Sequence, residues 1–320
     1  LFFFCFLPVV VILLLGAEYY GLTVPMSYPT AEKRVADFAI NFLVWFFFTG
    51  LIIKVIVDNF RAERALLDED LAVAQKLQHR LLPRHVPRVP GYTLHFCYIP
   101  MEKVGGDFYD CNVTEEQIEL MIADVSGHGL PGAFLAAVTK MAFDYERGEG
   151  PLPVVLERTN RAVLASTVNS NFVTVFACSI DRKTSLMHCS SAGHLPVIVL
   201  GKNKREIRFI KPKGKPLGWF DDPGIEEEQV QLEPGDRLIL YTDGITECRN
   251  SKGKIFGSGA FKDFIIRNSG LSAGLFCRNL IECLSSYSGA EFFDDDITII
   301  VLDVEERIEE GATFTEPSPS

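Results

Sequence analysis

The sequence predicts an α/β (α+β) domain of antiparallel sheets with helices packed outside them, preceded by an apolar helical region. Three observations carry this reading. Between Tyr92 and Val304, short β-type runs follow one another with no helix between them, helix-type runs come in two pairs, and the apolar excess lies ahead of both. A doubly wound parallel sheet would instead alternate strand and helix.

The apolar excess comes first in the chain. Leu1 to Ala17 holds no ionisable side chain except the Cys5 thiol, and Phe38 to Val57 holds a single charge, Lys54. About 20 apolar residues cross a bilayer as a helix, because every backbone polar group must be satisfied internally there. Two membrane spans are therefore expected within residues 1–57. No basic segment precedes the first run, so a cleaved signal peptide is not expected and the chain reads as a piece of a longer one. Lys54, Arg61 and Arg64 at the exit of the second span put the following domain in the cytoplasm, on the inner face of the cell membrane, although Lys33 and Arg34 oppose that orientation.

The linker follows at 58–90. Asp58 to Leu82 contains no Gly or Pro, and Phe60, Leu67, Ala74 and Leu81 recur at seven-residue spacing on a charged background. This predicts a helix whose stripe either pairs with a second copy, giving a homodimer through 58–82, or packs on the next domain. Pro83, Pro87 and Pro90 end it.

The main domain is expected over 91–304, long enough to bury its own core. Predicted strands are Tyr92–Ile99, Gln117–Ala123, Phe172–Ile180, Leu195–Leu200, Arg237–Tyr241 and Ile297–Leu302. Predicted helices are Pro131–Tyr145, Pro153–Thr167, Gly259–Asn268 and Ser272–Ser286. Residues 305–320 form an acidic tail expected to be disordered.

Composition excludes several classes. A net charge of −11, from 42 acidic and 31 basic residues, disfavours a nucleic-acid surface. The 8 cysteines show no metal-type pairing, which suits a reducing compartment. No Gly-rich phosphate loop or HRD-type catalytic loop supports a kinase, and no EF-hand spacing supports a calcium sensor.

The informative residues are aspartates at strand ends. Asp124 closes Leu120 to Ala123, Asp243 closes Leu238 to Thr242 and precedes Gly244, Asp107 follows Gly105 and Gly106, and Asp294, Asp295 and Asp296 precede Ile297. Any one of them alone reads as a turn residue. Gathered at one sheet edge they would repel one another unless cations neutralised them, and hard oxygen ligands select Mg²⁺ or Mn²⁺ over Zn²⁺. Two such ions favour phosphate ester hydrolysis by an activated water.

Six motifs then occur in a fixed order. They are Val104-Gly105-Gly106-Asp107-Phe108-Tyr109-Asp110, Asp124-Val125-Ser126-Gly127-His128-Gly129, Ser191-Ala192-Gly193-His194, Pro216-Leu217-Gly218, Pro234-Gly235-Asp236 with Tyr241 to Glu247, and Asp295-Asp296-Ile297-Thr298. In this order the chain resembles bacterial PP2C-type (PPM) protein phosphatases of the RsbU/SpoIIE group over about residues 75–304. The resemblance implies a PP2C-like α-β-β-α sandwich and hydrolysis of phosphoserine or phosphothreonine by water activated between two Mn²⁺ or Mg²⁺ ions, without a covalent phosphoenzyme.

It also implies site residues. Asp107, Asp124, Asp243 and Asp295 match metal-binding aspartates, the Val125 carbonyl matches a backbone ligand, and Asp296 is interchangeable with Asp295 by pattern. His128 is a candidate general acid and equally a turn residue, since eukaryotic relatives carry their histidine at the position of Ser126. His194 reads as structural. The arginine that holds substrate phosphate in eukaryotic relatives has no obvious counterpart before Asp107; Lys103, near that place, is the candidate to supply a point charge without the bidentate fork. The basic run Lys202, Lys204, Arg205, Arg208, Lys211, Lys213 and Lys215 reads either as a steering surface or as a solvated hairpin. The implied partner is a phosphorylated STAS-type anti-sigma-factor antagonist. The competing readings are a catalytically idle PP2C-like scaffold that binds phosphoproteins, and a metal-dependent nuclease or phosphodiesterase, which the acidic balance disfavours.

Overall fold

The structure, a computed structural model, describes residues 31–83, 85–127, 129–167, 171–289 and 293–305. The first expected span, His128 and the acidic tail fall outside the described residues. The chain divides into two compact units, Leu1–Asp70 and Leu71–Ser320.

In the first unit, the second expected span lies in one long helix, α1, Ala31–Leu81. Among the described residues this is the one helix long and apolar enough to cross a membrane, with a mean hydropathy of 2.2 in its apolar window. Leu43, Phe46 and Phe47 stand exposed on it. The helix stops two residues before Pro83, which cannot continue it, and His79 and Arg80 in its last turn complement the negative end of the helix dipole.

The second unit holds two five-stranded antiparallel sheets. One has the order β1-β10-β9-β6-β7 and the other β2-β3-β4-β5-β8. The strands are β1 Tyr92–Ile99, β2 Phe108–Val113, β3 Gln117–Val125, β4 Val173–Asp181, β5 Leu186–Ala192, β6 Val197–Leu200, β7 Ile207–Ile210, β8 Glu227–Gln231, β9 Arg237–Tyr241 and β10 Ile297–Val304. The helices are α2 Gly129–Glu146 and α3 Leu152–Ser166, then α4 Asp243–Glu247, α5 Gly257–Arg267 and α6 Ala273–Ser288.

Period-two alternation explains the layering. On β9, Leu238 and Leu240 join one buried cluster, with Ile118, Ile122, Leu156 and Val163 from the other sheet and α3, while Ile239 and Tyr241 join a second, with Phe261, Phe276 and Leu280 from α5 and α6. Both faces are covered, so the sequence of β9 and β10 reads as an unbroken apolar run. This is the α-β-β-α sandwich. The basic run forms the β6–β7 hairpin and the segment after it, where Arg208 pairs with Asp236 at 3.1 Å and Lys213 with Glu226 at 3.4 Å.

Candidate metal centre

The ends of three strands bring the aspartates together. Asp124 is the penultimate residue of β3, opposite Thr174 of β4. Asp243 opens α4 directly after β9, and Asp295 and Asp296 precede β10, the antiparallel neighbour of β9. The two chain segments are tied where they leave the sheet: the Thr242 N–H donates to the Thr298 carbonyl at 3.1 Å, and the Thr298 N–H donates to Thr242 Oγ1 at 3.0 Å. Gly244 permits the approach, because a Cβ there would lie 2.0 Å from the Asp296 carbonyl oxygen.

Asp124, Asp243, Asp294, Asp295 and Asp296 line one cleft of about 600 Å³, together with Met101, Val125, Ser126, Gly127, Phe172, Thr174, Gly193 and Leu195. Among these described residues there is no Lys, Arg or His side chain. Burial, then the charges of Asp243, Asp295 and Asp296, raise the Asp124 carboxyl to about 7. Burial raises Asp295 to about 6, with Asp243 and Asp296 adding to the shift. Asp243 moves up as well, through burial and then the Glu247 charge. The carboxylates are close enough to repel, and no basic side chain is among the described residues lining the cleft.

Asp296 and Asp107 are placed differently from these three. Asp296 accepts the Met101 N–H on Oδ1 at 2.7 Å, and the Gly106 and Asp107 N–H groups on Oδ2 at 2.6 and 3.1 Å. It lines the cleft, but both its oxygens fasten the 101–107 loop to the start of β10. Asp107 is buried and is not among the residues lining the cleft. Its Oδ2 accepts from Thr242 Oγ1 at 2.7 Å and Thr298 Oγ1 at 2.6 Å. Burial and then the Asp124 charge push its carboxyl well above the usual range, against those two hydroxyls.

The Gly105–Gly106 pair is required by closeness. A Cβ on Gly106 would meet the carbonyl oxygens of Val125 and Gly127 at 2.9 Å. Lys103 lies exposed in the same loop and does not line the cleft. His194 is wholly buried behind it. Its Nε2–H donates to the Tyr241 carbonyl at 3.1 Å, leaving Nδ1 to accept from Thr174 Oγ1 at 2.9 Å, and burial lowers its pKa to about 4. That is a neutral, structural histidine. Thr242, Thr298 and Gln78 support the site and were not singled out by sequence. The two threonines lie inside quoted motifs, and Gln78 opens the stretch Gln78 to Pro83 that resembles the linker preceding the family's domain, but nothing local marks its contact with Gly105.

Among the described residues, no three His, Cys, Asp or Glu side chains are disposed to hold one ion by themselves. The donor chemistry nevertheless suits hard divalent cations: carboxylate oxygens without nitrogen or sulfur, excess negative charge, and the Val125 residue in the lining of the same cleft. Such ions keep several waters and rely on few protein carboxylates each.

The stacked sheets, the outer helical pairs and an oxygen-only acidic cleft where strands from both sheets end define a protein of the PP2C class. The sequence profile described as stage II sporulation protein E (SpoIIE) matches residues 114–305, and the chain belongs to that family. Its curated relative phosphoserine phosphatase RsbU of Bacillus subtilis is 29% identical over 237 residues, covering 74% of this chain and 70% of RsbU. Phosphoserine phosphatase RsbP of the same organism is 23% identical, over 56% of this chain and 45% of RsbP. Among solved structures, the SiaA-PP2C domain of Pseudomonas aeruginosa shares the fold with a TM-score of 0.67 at 22% identity, covering 76% of this chain and 98% of that one.

Proposed function

We propose that the chain is a metal-dependent protein serine/threonine phosphatase. On this reading it is tethered to the cytoplasmic membrane by α1 and acts from the cytoplasmic side on a phosphorylated STAS-type antagonist of an anti-sigma factor. The observation that carries the reading is the cleft itself: Asp124, Asp243 and Asp295 converge at raised pKa with no basic side chain among the described lining residues. Carboxylates so arranged suit divalent cations. The phosphoserine phosphatase names of RsbU and RsbP support the substrate class.

Asp124, Asp243, Asp295 and the Val125 carbonyl would hold two Mn²⁺ or Mg²⁺ ions. When bound, these supply Lewis acidity and lower the pKa of water to near neutrality. The protein's own part is positional. Asp107, held by Thr242 and Thr298 and near enough to feel the Asp124 charge, would add a further carboxylate ligand to that set. Asp296 keeps the 101–107 loop in place through three backbone N–H groups. Lys103 on that loop is the candidate to attract the substrate phosphate as a point charge, and His128 the candidate to protonate the departing serine oxygen. The domain division is part of the same reading: a membrane part to residue 57, a linker to 90 whose helix either pairs with a second copy or packs on the following domain, and the phosphatase domain over 91–304.

The test is hydrolysis of a phosphoserine-bearing STAS protein by the full chain in detergent. Manganese-dependent release of phosphate, stopped by a chelator and by Asp243→Asn, is expected. An inert wild-type protein that still binds the phosphoprotein would replace the enzyme by a scaffold.

A further inference from the structure

Next to the acidic cleft, three aromatic rings stack outward to the surface. Phe172 lines the cleft and is bound to the Asp124–Gly127 segment by two hydrogen bonds: its N–H donates to Ser126 Oγ at 2.7 Å and its carbonyl accepts the Ser126 N–H at 2.9 Å. The Trp219 ring stacks on Phe172 with centroids 5.0 Å apart and planes at 19°, and Phe220 continues the stack at 5.7 Å and 21°. Trp219 is 55% exposed and Phe220 40% exposed, a large apolar area held open to solvent. The Lys215 ammonium sits 4.8 Å over the Phe220 ring at the outer end.

The stack is rigidly mounted. Asn160 of α3 is wholly buried; its Oδ1 accepts the Gly218 N–H at 2.8 Å and its Nδ2 donates to the Phe220 carbonyl at 2.8 Å. Leu217 and Val173 exchange both backbone hydrogen bonds, at 2.9 and 2.8 Å. Gly218 takes a φ of +82°, and a Cβ there would meet Val163 and Thr167 at 2.8 Å. A buried amide, and a glycine whose backbone conformation and close packing exclude a side chain, thus fix the segment that carries the two rings. Such prepaid order lowers the cost of binding.

We propose that Phe172, Trp219 and Phe220 form the docking surface for the substrate protein, receiving an apolar side chain that flanks the phosphorylated residue. This rests on the phosphatase reading above. The occupant follows from continuity with the cleft: a phosphate held there leaves the chain beside Phe172. An extended chain advances roughly 3.3–3.6 Å per residue, so ring steps of 5.0 and 5.7 Å correspond to a side chain within about three residues of the phosphoserine. Flat aromatic faces favour a leucine, methionine or aromatic side chain there, and rings of this kind dominate interface energetics.

The experiment compares kcat/KM of the full chain in detergent, with manganese, on three substrates: a phosphoserine decapeptide with Leu at positions +1 to +3, the same peptide with Ser at those positions and at −1 to −3, and free phosphoserine. The wild type is expected to prefer the Leu peptide over the Ser peptide by about tenfold, a typical yield for an apolar contact. Trp219→Ala is expected to remove most of that ratio and Trp219→Phe to retain it. Equal rates on the two peptides in the wild type, or an unchanged ratio in a folded Trp219→Ala, would overturn the docking surface while leaving the phosphatase reading intact. A wild-type protein inert to all three but active on the phosphoserine-bearing STAS protein overturns docking through a flanking apolar side chain, and one inert to that protein as well overturns both.

Discussion

Gln78, in the last turn but one of α1, clamps Gly105 with both ends of its amide. Its Nε2 donates to the Gly105 carbonyl at 2.6 Å, and its Oε1 accepts the Gly105 N–H at 3.1 Å. Gln78 is buried, and the next two N–H groups along the loop belong to Asp296. The end of the linker helix and the start of β10 therefore grip the same three-residue stretch of backbone, Gly105 to Asp107.

Replacing Gln78 tests that grip. Gln78→Ala leaves a buried peptide group without either partner, at a cost of about 1–3 kcal/mol. Activity is expected to fall at limiting manganese and to recover partly at high manganese, because the loop that Asp296 and Asp107 share is loosened while the ligands stay. Activity measured across a manganese titration checks it. An unchanged midpoint would show that the clamp is unconnected to the site.

Asp295 and Asp296, adjacent carboxylates, should respond in opposite ways. Asp295→Asn removes a charge from a repelling cluster, so the metal-free protein is expected to melt higher, by about 1–2 kcal/mol of added stability, while activity is lost. Asp296→Ala strips acceptors from two buried N–H groups and one half-buried one, and the metal-free protein should lose about 2–4 kcal/mol. Thermal melts in chelator decide the matter: lowered stability in both variants would contradict the division of roles.

The cleft also sets a pH dependence. Asp124 and Asp295 hold their protons more tightly in the fold than unfolded, so their contribution to stability is complete below the model-peptide value of 3.8 and is lost as pH rises through about 6 and about 7. At pH 8 they are charged and destabilising, and a cation relieves this. Manganese at 100 times its Kd adds about 2.7 kcal/mol, equivalent to about 5–10 °C in Tm. The gain should be present at pH 8 and largely absent at pH 5, where protons occupy the same oxygens. Equal gains at both pH values would contradict carboxylate ligation.

His194 runs the other way. Its pKa falls from 6.5 to about 4 on folding, so the unfolded chain binds the proton first, and this contribution is present above pH 6.5 and lost as pH falls toward 4. The full loss is about 3 kcal/mol. Against His194→Gln, a wild-type advantage of about 1–2 kcal/mol at pH 7 should shrink to nothing near pH 5. Denaturant unfolding at both pH values reads this directly. A growing advantage at acid pH would mean the ring is protonated in the fold.

How far these features could be seen in the sequence depends on what each residue contacts. β9 and β10 were readable because both faces are buried, which makes them continuous apolar runs. β8, Glu227–Gln231, escaped notice because it is a charged edge strand, and β7 is the other sheet's edge. β2, Phe108–Val113, was hidden within a motif rich in polar residues. The predicted start of the second outer helical pair was off by two residues at Gly257, a normal end effect. Within the site, Asp124 and Asp243 announced themselves by closing apolar runs. The distinct placements of Asp295 and Asp296 could not be read, because two adjacent carboxylates differ only in which backbone N–H groups face them. Gln78 was illegible for a related reason: its partner lies 27 residues away, and only the docked helix brings them together.

The central claim, that Asp124, Asp243 and Asp295 share divalent cations, is tested most directly by calorimetric titration of the metal-free full chain with Mn²⁺ at pH 7. Saturable uptake of two ions with release of protons is predicted, with at least one ion lost in Asp124→Asn. No saturable uptake, or uptake that survives Asp124→Asn unchanged, would contradict it.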